Sequence, residues 1–245
     1  MTLNKRQENI LFASIGEYIR TGEPVASVDL KRRFRFSFSP ATIRGELVTL
    51  SYEGLLSQPH TSAGRVPTDA GYRWYVDMIE AERERDWSGS AKDIRREVFK
   101  EFEPLDDLDD FFRKSMESFS EIVEALVVGG VMNESEPLHK SGFRRVLGDP
   151  EFSEEEARND FGELIDSIDQ DVRKLVRSHR GAYFEIFIGE ENPIPEARHY
   201  SMMVKKIRDH ESEGLLAILG PKRMHYDKGL ALLQAIEELW EAQSK

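Results

Sequence analysis

Apolar positions recur at steps of three and four along most of this chain and shift to a shorter period only near its end. Over residues 3–20 the side chains of Leu3, Ile10, Leu11, Ile15, Tyr18 and Ile19 fall mostly on one stripe, which predicts an amphipathic helix stopped by Thr21-Gly22-Glu23-Pro24. A second, shorter helix is expected from Ser27, as its N-cap, through Leu30 to about Phe34. Arg35-Phe36-Ser37-Phe38 then turns the chain. Ser39-Pro40 opens a third helix: the serine caps it, and the proline stands where a missing N–H costs nothing. Ile43, Leu47 and Leu50 make its buried stripe, and Gly54 ends it. Residues 55–59 and 65–67 read as two short strands around the polar tip His60-Thr61-Ser62-Ala63-Gly64, where prolines suit an edge and glycine suits a close backbone approach. Thr68-Asp69 caps a fourth helix carrying Tyr72, Trp74, Tyr75, Met78 and Ile79, aromatic and apolar at the spacing of a core face, to about Asp86. Three short-linked helices followed by a wing predict a winged helix-turn-helix, in which the third helix enters the major groove of duplex DNA.

Beyond a linker at 86–90 the helical period resumes. Residues 94–128 read as largely helical, with Phe111, Phe112, Met116, Phe119, Ile122, Val123 and Leu126 at helical spacing. Residues 132–142 are polar and broken by Pro137, and a further helix is expected over 153–178, opened by the capping box Ser153-Glu154-Glu155-Glu156. Strand signals come late, at 182–188 and 215–219, with 201–207 a weaker third. Residues 228–242 close the chain as an amphipathic helix. The fold class is therefore α+β and mostly helical, with a DNA-binding domain over 1–86 and, over 87–245, a helical linker and a small domain with few strands.

Composition changes this picture in two places. The net charge of −12 is unevenly spread: residues 1–77 carry ten Lys/Arg against eight Asp/Glu, and the rest carries 24 against 38. An almost neutral front, with Lys31, Arg32, Arg33, Arg35 and Arg44 close together, thus precedes an acidic body, and phosphate binding answers to local charge. The absence of cysteine excludes disulfides, thiolate zinc sites and cysteine nucleophiles. The longest apolar run, 125–132, is too short to span a bilayer, and no secretory signal opens the chain, so a cytoplasmic protein without a membrane partner is expected. The six histidines are scattered, and no nucleophile elbow, phosphate loop or dinucleotide fingerprint is present; no enzyme, cofactor or metal is expected.

With Ile43, Leu47 and Leu50 inward, a 100° step turns Ala41, Gly45, Val48 and Tyr52 outward and puts Thr42, Arg44 and Thr49 on the flanks. Arg44 and Thr42 are candidates for base edges or phosphates, against an ion pair of Arg44 with Glu46 or Glu53. Ser39 is first an N-cap, though a capping hydroxyl can also meet a phosphate. Lys31, Arg32, Arg33 and Arg35 are candidates for phosphates, against a solvated face. His60, Thr61, Ser62 and Arg65 form the wing tip, with Arg65 aimed at the minor groove or backbone, against a turn that only fixes the hairpin. Gly45 either admits a close backbone approach or merely weakens the helix.

Ala41-Thr42-Ile43-Arg44, Glu53-Gly54-Leu55-Leu56 and above all Pro59-His60-Thr61-Ser62-Ala63-Gly64-Arg65-Val66-Pro67-Thr68, with Gly71-Tyr72-Arg73 and Tyr75-Val76-Asp77, resemble the HrcA family of heat-inducible transcription repressors. Tyr18-Ile19-Arg20-Thr21-Gly22-Glu23-Pro24-Val25 fits as well, and Pro150-Glu151-Phe152-Ser153, Ile188-Gly189-Glu190-Glu191-Asn192 and Leu219-Gly220-Pro221-Lys222-Arg223-Met224-His225-Tyr226 look like that family's effector domain. The resemblance implies a homodimer that represses chaperone operons at an inverted-repeat operator, sustained by a GroE-type chaperonin. It also implies a GAF-like central domain with an inserted dimerisation subdomain. The chain departs from that pattern twice. Only 132–142 stand where the first half of the GAF-like domain and the insertion are expected, so a short, truncated variant is implied, and Gly45 stands where the family usually has asparagine. Two other readings remain open: a winged-helix regulator that senses a metabolite through its GAF-like part, and a winged-helix module that binds protein.

Overall fold

In the computed structural model, residues 3–60, 63–83, 89–101, 108–133, 136–148, 155–178, 183–208 and 213–243 are described. The chain divides into two compact units, 1–85 and 86–245.

The first unit is built on α1 (Lys5–Thr21), α2 (Ser27–Phe34) and α3 (Pro40–Tyr52), followed by a hairpin of β1 (Leu56–Ser57) and β2 (Val66–Pro67) and by α4 (Asp69–Arg83). Asn4 caps α1 through a reciprocal box in which its side chain accepts from the Arg6 and Gln7 amides while the Gln7 Oε1 accepts from the Asn4 amide. Gly22, at φ 70°, ends α1 in the left-handed region and donates to the Tyr18 carbonyl. Ser27 is not the N-cap of α2. Ala26 holds that place without a side-chain bond, and Ser27 is the first helical residue, buried. The turn after α2 uses Arg35 at φ 51°, and Phe34, Phe36 and Phe38 stack along it at centroid separations of 5.9 and 5.7 Å. Ile10, Leu11, Ile15, Leu30, Ile43, Leu50 and Val76 are completely buried and form the unit's core.

The second unit is mixed α and β. After α5 (Gly89–Glu101) and α6 (Leu108–Val123) come β3 (Leu126–Val131), β4 (His139–Ser141), α7 (Phe143–Leu147), α8 (Glu155–Arg177), β5 (Phe184–Ile188), β6 (Tyr200–Arg208), β7 (Glu213–Pro221) and α9 (Tyr226–Gln243). The strands form one antiparallel sheet in the order β4-β3-β7-β6-β5. Five strands replace the few that were expected. The helix read over 94–128 ends at Val123, and Leu126, Val127 and Val128 belong to a strand buried on both faces, where a short apolar run carries no period that separates strand from helix. The polar stretch 132–142 contains β4 and completes the β3-β4 hairpin. The expected capping box at Ser153 lies outside the described residues.

Side chains alternate across this sheet. Leu126, Val128, Met202, Val204, Leu215, Ala217 and Leu219 join Phe161, Leu164, Ile168, Val172 and Val176 of α8 in one buried cluster. The opposite face carries Gly129 and Gly214 beneath the ring of Phe112, from α6, and Met203 and Ile218 against Gly229, from α9. Ser201, on that same face, pairs with the Tyr226 hydroxyl at 2.6 Å. β7 therefore runs through the middle of a three-layer packing, buried from Gly214 to Pro221. No helix among the described residues is long and apolar enough to cross a membrane.

Candidate nucleic-acid interface

The third helix presents the face its sequence implies. Ile43, Leu47 and Leu50 point inward, while Ala41, Arg44, Gly45, Val48, Thr49 and Tyr52 are exposed, Tyr52 at 88%. Ser39 caps the helix by accepting from the Thr42 amide at 3.1 Å, and its hydroxyl shares a proton with that of Thr42 at 2.9 Å. The Thr49 hydroxyl donates to the Gly45 carbonyl at 3.2 Å, one turn back. A Cβ built on Gly45 meets nothing within 4 Å, so the glycine opens the surface at mid-helix.

Glu46 answers the question raised by Arg44. It is buried at 8% exposure, pairs with Arg6 and accepts from Gln7 Nε2 at 3.1 Å, both of α1. The carboxylate thus fastens α3 to α1 and leaves Arg44 alone: Arg44 makes no ion pair among the described residues. This tie was missed in the sequence, where a glutamate two residues from an arginine on a helix suggested a local pair.

The other basic residues divide by partner. Arg32 pairs with Asp29 at 3.0 Å, and Arg33 reaches Glu17 of α1 at 2.8 Å. The hydrogen bond from Arg20 holds the Glu17 carboxyl below its ordinary range, and the charges of Arg20 and Arg33 act in the same direction. Lys31 Nζ donates to the Phe36 carbonyl, fixing the turn before α3, and Arg35 is exposed at the end of α2.

The hairpin is anchored to the first unit by its backbone. Arg65 exchanges two backbone hydrogen bonds of 2.9 Å with Val25, an isolated bridge that the sequence did not disclose because Pro24 masks any strand signal there. Gly64 sits against that bridge; a Cβ on it would stand 2.5 Å from the Val25 carbonyl. Thr68 closes the base, donating to the Gly54 carbonyl at 2.6 Å and accepting from the Gly71 amide. His60 is exposed at the tip, while Thr61 and Ser62 lie outside the described residues.

This anchoring brings Arg65 to Arg44. Both line a groove of about 400 Å³ between the start of α2, α3 and the hairpin, together with Val25, Ala26, Ser27, Val28, Leu47, Val48, Gln58, Ala63 and Gly64. Among the described residues no carboxylate lines it. The Nε of Arg65 is buried there without a hydrogen-bond partner, a costly state for a charged donor unless something else meets it. Of the residues singled out in the sequence, the groove gathers Arg44 and Arg65. Ser39, Thr42 and Thr49 lie elsewhere on α3 or its cap, and Lys31, Arg32 and Arg35 lie on α2 and the turn after it.

Comparison with known proteins places the chain. The heat-inducible transcription repressor HrcA of Moorella thermoacetica is 53% identical over 79 residues, 32% of this chain and 23% of that protein. Its namesake in Caldanaerobacter subterraneus is 42% identical over 105 residues, 43% of this chain and 31% of that protein. These alignments span a third or less of those relatives' lengths. The Thermodesulfovibrio yellowstonii protein of the same name aligns at 25% identity across 95% of each chain, over 332 residues, more than the 245 present here, so that relative holds segments this chain lacks. A crystal structure described only as that of a hypothetical protein superposes with a TM-score of 0.77 over 99% of this chain and 100% of the other at 20% identity, a likeness of fold. A family model described as the HrcA protein C-terminal domain matches residues 83–229, more than half of the sequence, and the chain belongs to the HrcA family.

Proposed function

We propose that the protein is a DNA-binding transcription repressor of heat-shock and chaperone operons, with 1–86 acting as a winged helix-turn-helix and α3 as its groove helix. One observation carries the reading: Arg44 from α3 and Arg65 from the hairpin meet in a groove that no carboxylate among the described residues lines, Arg65 with a buried Nε that has no hydrogen-bond partner there. A surface whose cations are not neutralised from within is what a polyanion needs. Arg32 supports it from the side, because its exposed ion pair with Asp29 is worth little and exchanges a carboxylate for a phosphate cheaply. His60, exposed on the wing, would meet the DNA backbone or minor groove, and the same role is proposed for Thr61 and Ser62 from the sequence.

The family's repressors motivate the finer parts. The protein would bind an inverted-repeat operator as a homodimer, with half-sites a whole number of turns apart, about 34 Å each. A GroE-type chaperonin would sustain that activity, and the second unit would be a reduced GAF-like domain. Charge reversal at Arg44 tests the core of the proposal. Arg44→Glu should lower affinity for the operator duplex by at least tenfold, in line with about 1 to 3 kcal/mol for a lost arginine–base contact plus repulsion, measured by fluorescence anisotropy. Unchanged affinity would remove α3 from the interface. A footprint over a single unrepeated half-site would contradict the dimer.

A further inference from the structure

The polar side chains of α3 and its cap are largely engaged in hydrogen bonds within the protein. Ser39 caps the helix and its hydroxyl is hydrogen-bonded to that of Thr42, Thr49 donates to the Gly45 carbonyl, Ser51 donates to the Leu47 carbonyl, and Glu46 is buried against Arg6 and Gln7. Besides Pro40 and the hydrogen-bonded Thr49, what remains outward over the first three turns is Arg44 and a set of small apolar groups: the methyl of Ala41, the bare backbone at Gly45 and the isopropyl of Val48. Val48 is 37% exposed and Val28, across the groove, 56%. A β-branched side chain in a helix is held in one rotamer, so Val48 offers its methyls without losing further freedom on contact.

In the major groove only thymine presents a methyl group, and apolar side chains recognise it by contact. Resting on the reading of α3 as the groove helix, we infer that this helix reads sequence mainly through thymine 5-methyl groups, seated against Val48 beside the open backbone at Gly45, with Arg44 the hydrogen-bonding base reader. The open space at Gly45 lets a base edge approach the helix axis, and the missing side chain leaves Val48 as the apolar group nearest to it in sequence on that stripe. The preferred half-site then has at least one thymine whose methyl contributes to affinity, alongside a guanine for Arg44.

The experiment uses the full chain and duplexes selected by it from a randomised DNA library. Each thymine of the selected duplex is replaced in turn by deoxyuridine, which removes the 5-methyl and keeps the hydrogen-bonding pattern. At one or two positions per half-site the affinity should fall about fourfold, the effect of one buried methyl group. Val48→Ala, on an exposed site that does not threaten folding, should bind the thymine duplex more weakly and lose the deoxyuridine effect at that position. Selected duplexes that bind equally well with deoxyuridine at every position would overturn the inference and leave DNA binding standing. So would a deoxyuridine effect that persists unchanged in Val48→Ala. Enrichment of no duplex at all would overturn the DNA-binding reading, and this inference with it.

Discussion

The two units use their residues in opposite ways. In the second, the side chains that matter are those hidden on both faces of the sheet: β7 has no exposed position between Gly214 and Pro221, and Phe112 lies directly over Gly129 and Gly214. In the first, the core is made by four helices and a hairpin of two-residue strands, and the informative residues are those the core leaves outside, Arg44, Gly45, Val48 and Arg65. A buried layer constrains every residue's volume, whereas an exposed helix face constrains almost none of them for folding. Substitutions in the second unit should therefore be read in stability, and those on the groove face of the first in affinity.

The largest effect expected from this contrast is at Phe112. Its ring is fully buried, packs edge-on to Phe111 at 5.5 Å and fills the space that two glycines vacate on β3 and β7. Phe112→Ala should cost about 3 to 5 kcal/mol, because the rigid sheet beneath it cannot collapse into the cavity. Urea unfolding would show the loss as a lowered midpoint. A cost under about 1 kcal/mol would mean that the layer over β3 and β7 is loosely packed, and the contrast between the units would fail.

How far this was legible in the sequence follows the same division. The helices of the first unit were readable because amphipathic period, a serine-proline start and glycine stops all agree on α3, and the family resemblance rested on a wing whose ten residues are contiguous. The Val25–Arg65 bridge was not readable, since it joins two single residues 40 positions apart and leaves no period. In the second unit β5, β6 and β7 gave strand signals, but β3 did not. Its residues Leu126-Val127-Val128-Gly129-Gly130-Val131 continue the apolar run of α6, and only Glu124, at φ 54°, marks the break. A strand buried on both faces loses the alternation that identifies a strand. The distant tie of Glu46 to Arg6 and Gln7 was invisible for another reason: sequence proximity offered Arg44 as the simpler partner.

An intermediate effect tests where the first unit's stability and its binding face meet. Glu46 lies on α3 but faces inward, so Glu46→Ala should act on folding: about 1.5 to 3 kcal/mol for the lost charged hydrogen bonds to Arg6 and Gln7. It would also free the Arg6 guanidinium, which stands 6.0 Å from the Phe38 ring. Thermal unfolding should register the change. If the variant instead kept its melting temperature and lost only operator affinity, Glu46 would belong to the interface and α3 would be rotated from the orientation described.

The smallest effect is the sharpest discriminator, because it should move stability and affinity in opposite directions. Gly45 has ordinary helical geometry, and a Cβ on it touches nothing. Alanine there should stabilise the first unit by about 0.5 to 1 kcal/mol, since the helix no longer bears glycine's excess backbone entropy. If the open space is where a base edge approaches, the same methyl group should weaken duplex binding several-fold while circular dichroism shows a helix at least as stable. Gains in both quantities would show that Gly45 contributes only weakness to α3. A loss in both would show that the surface around Gly45 is closed in solution, and the groove face would then need to be sought elsewhere on the first unit.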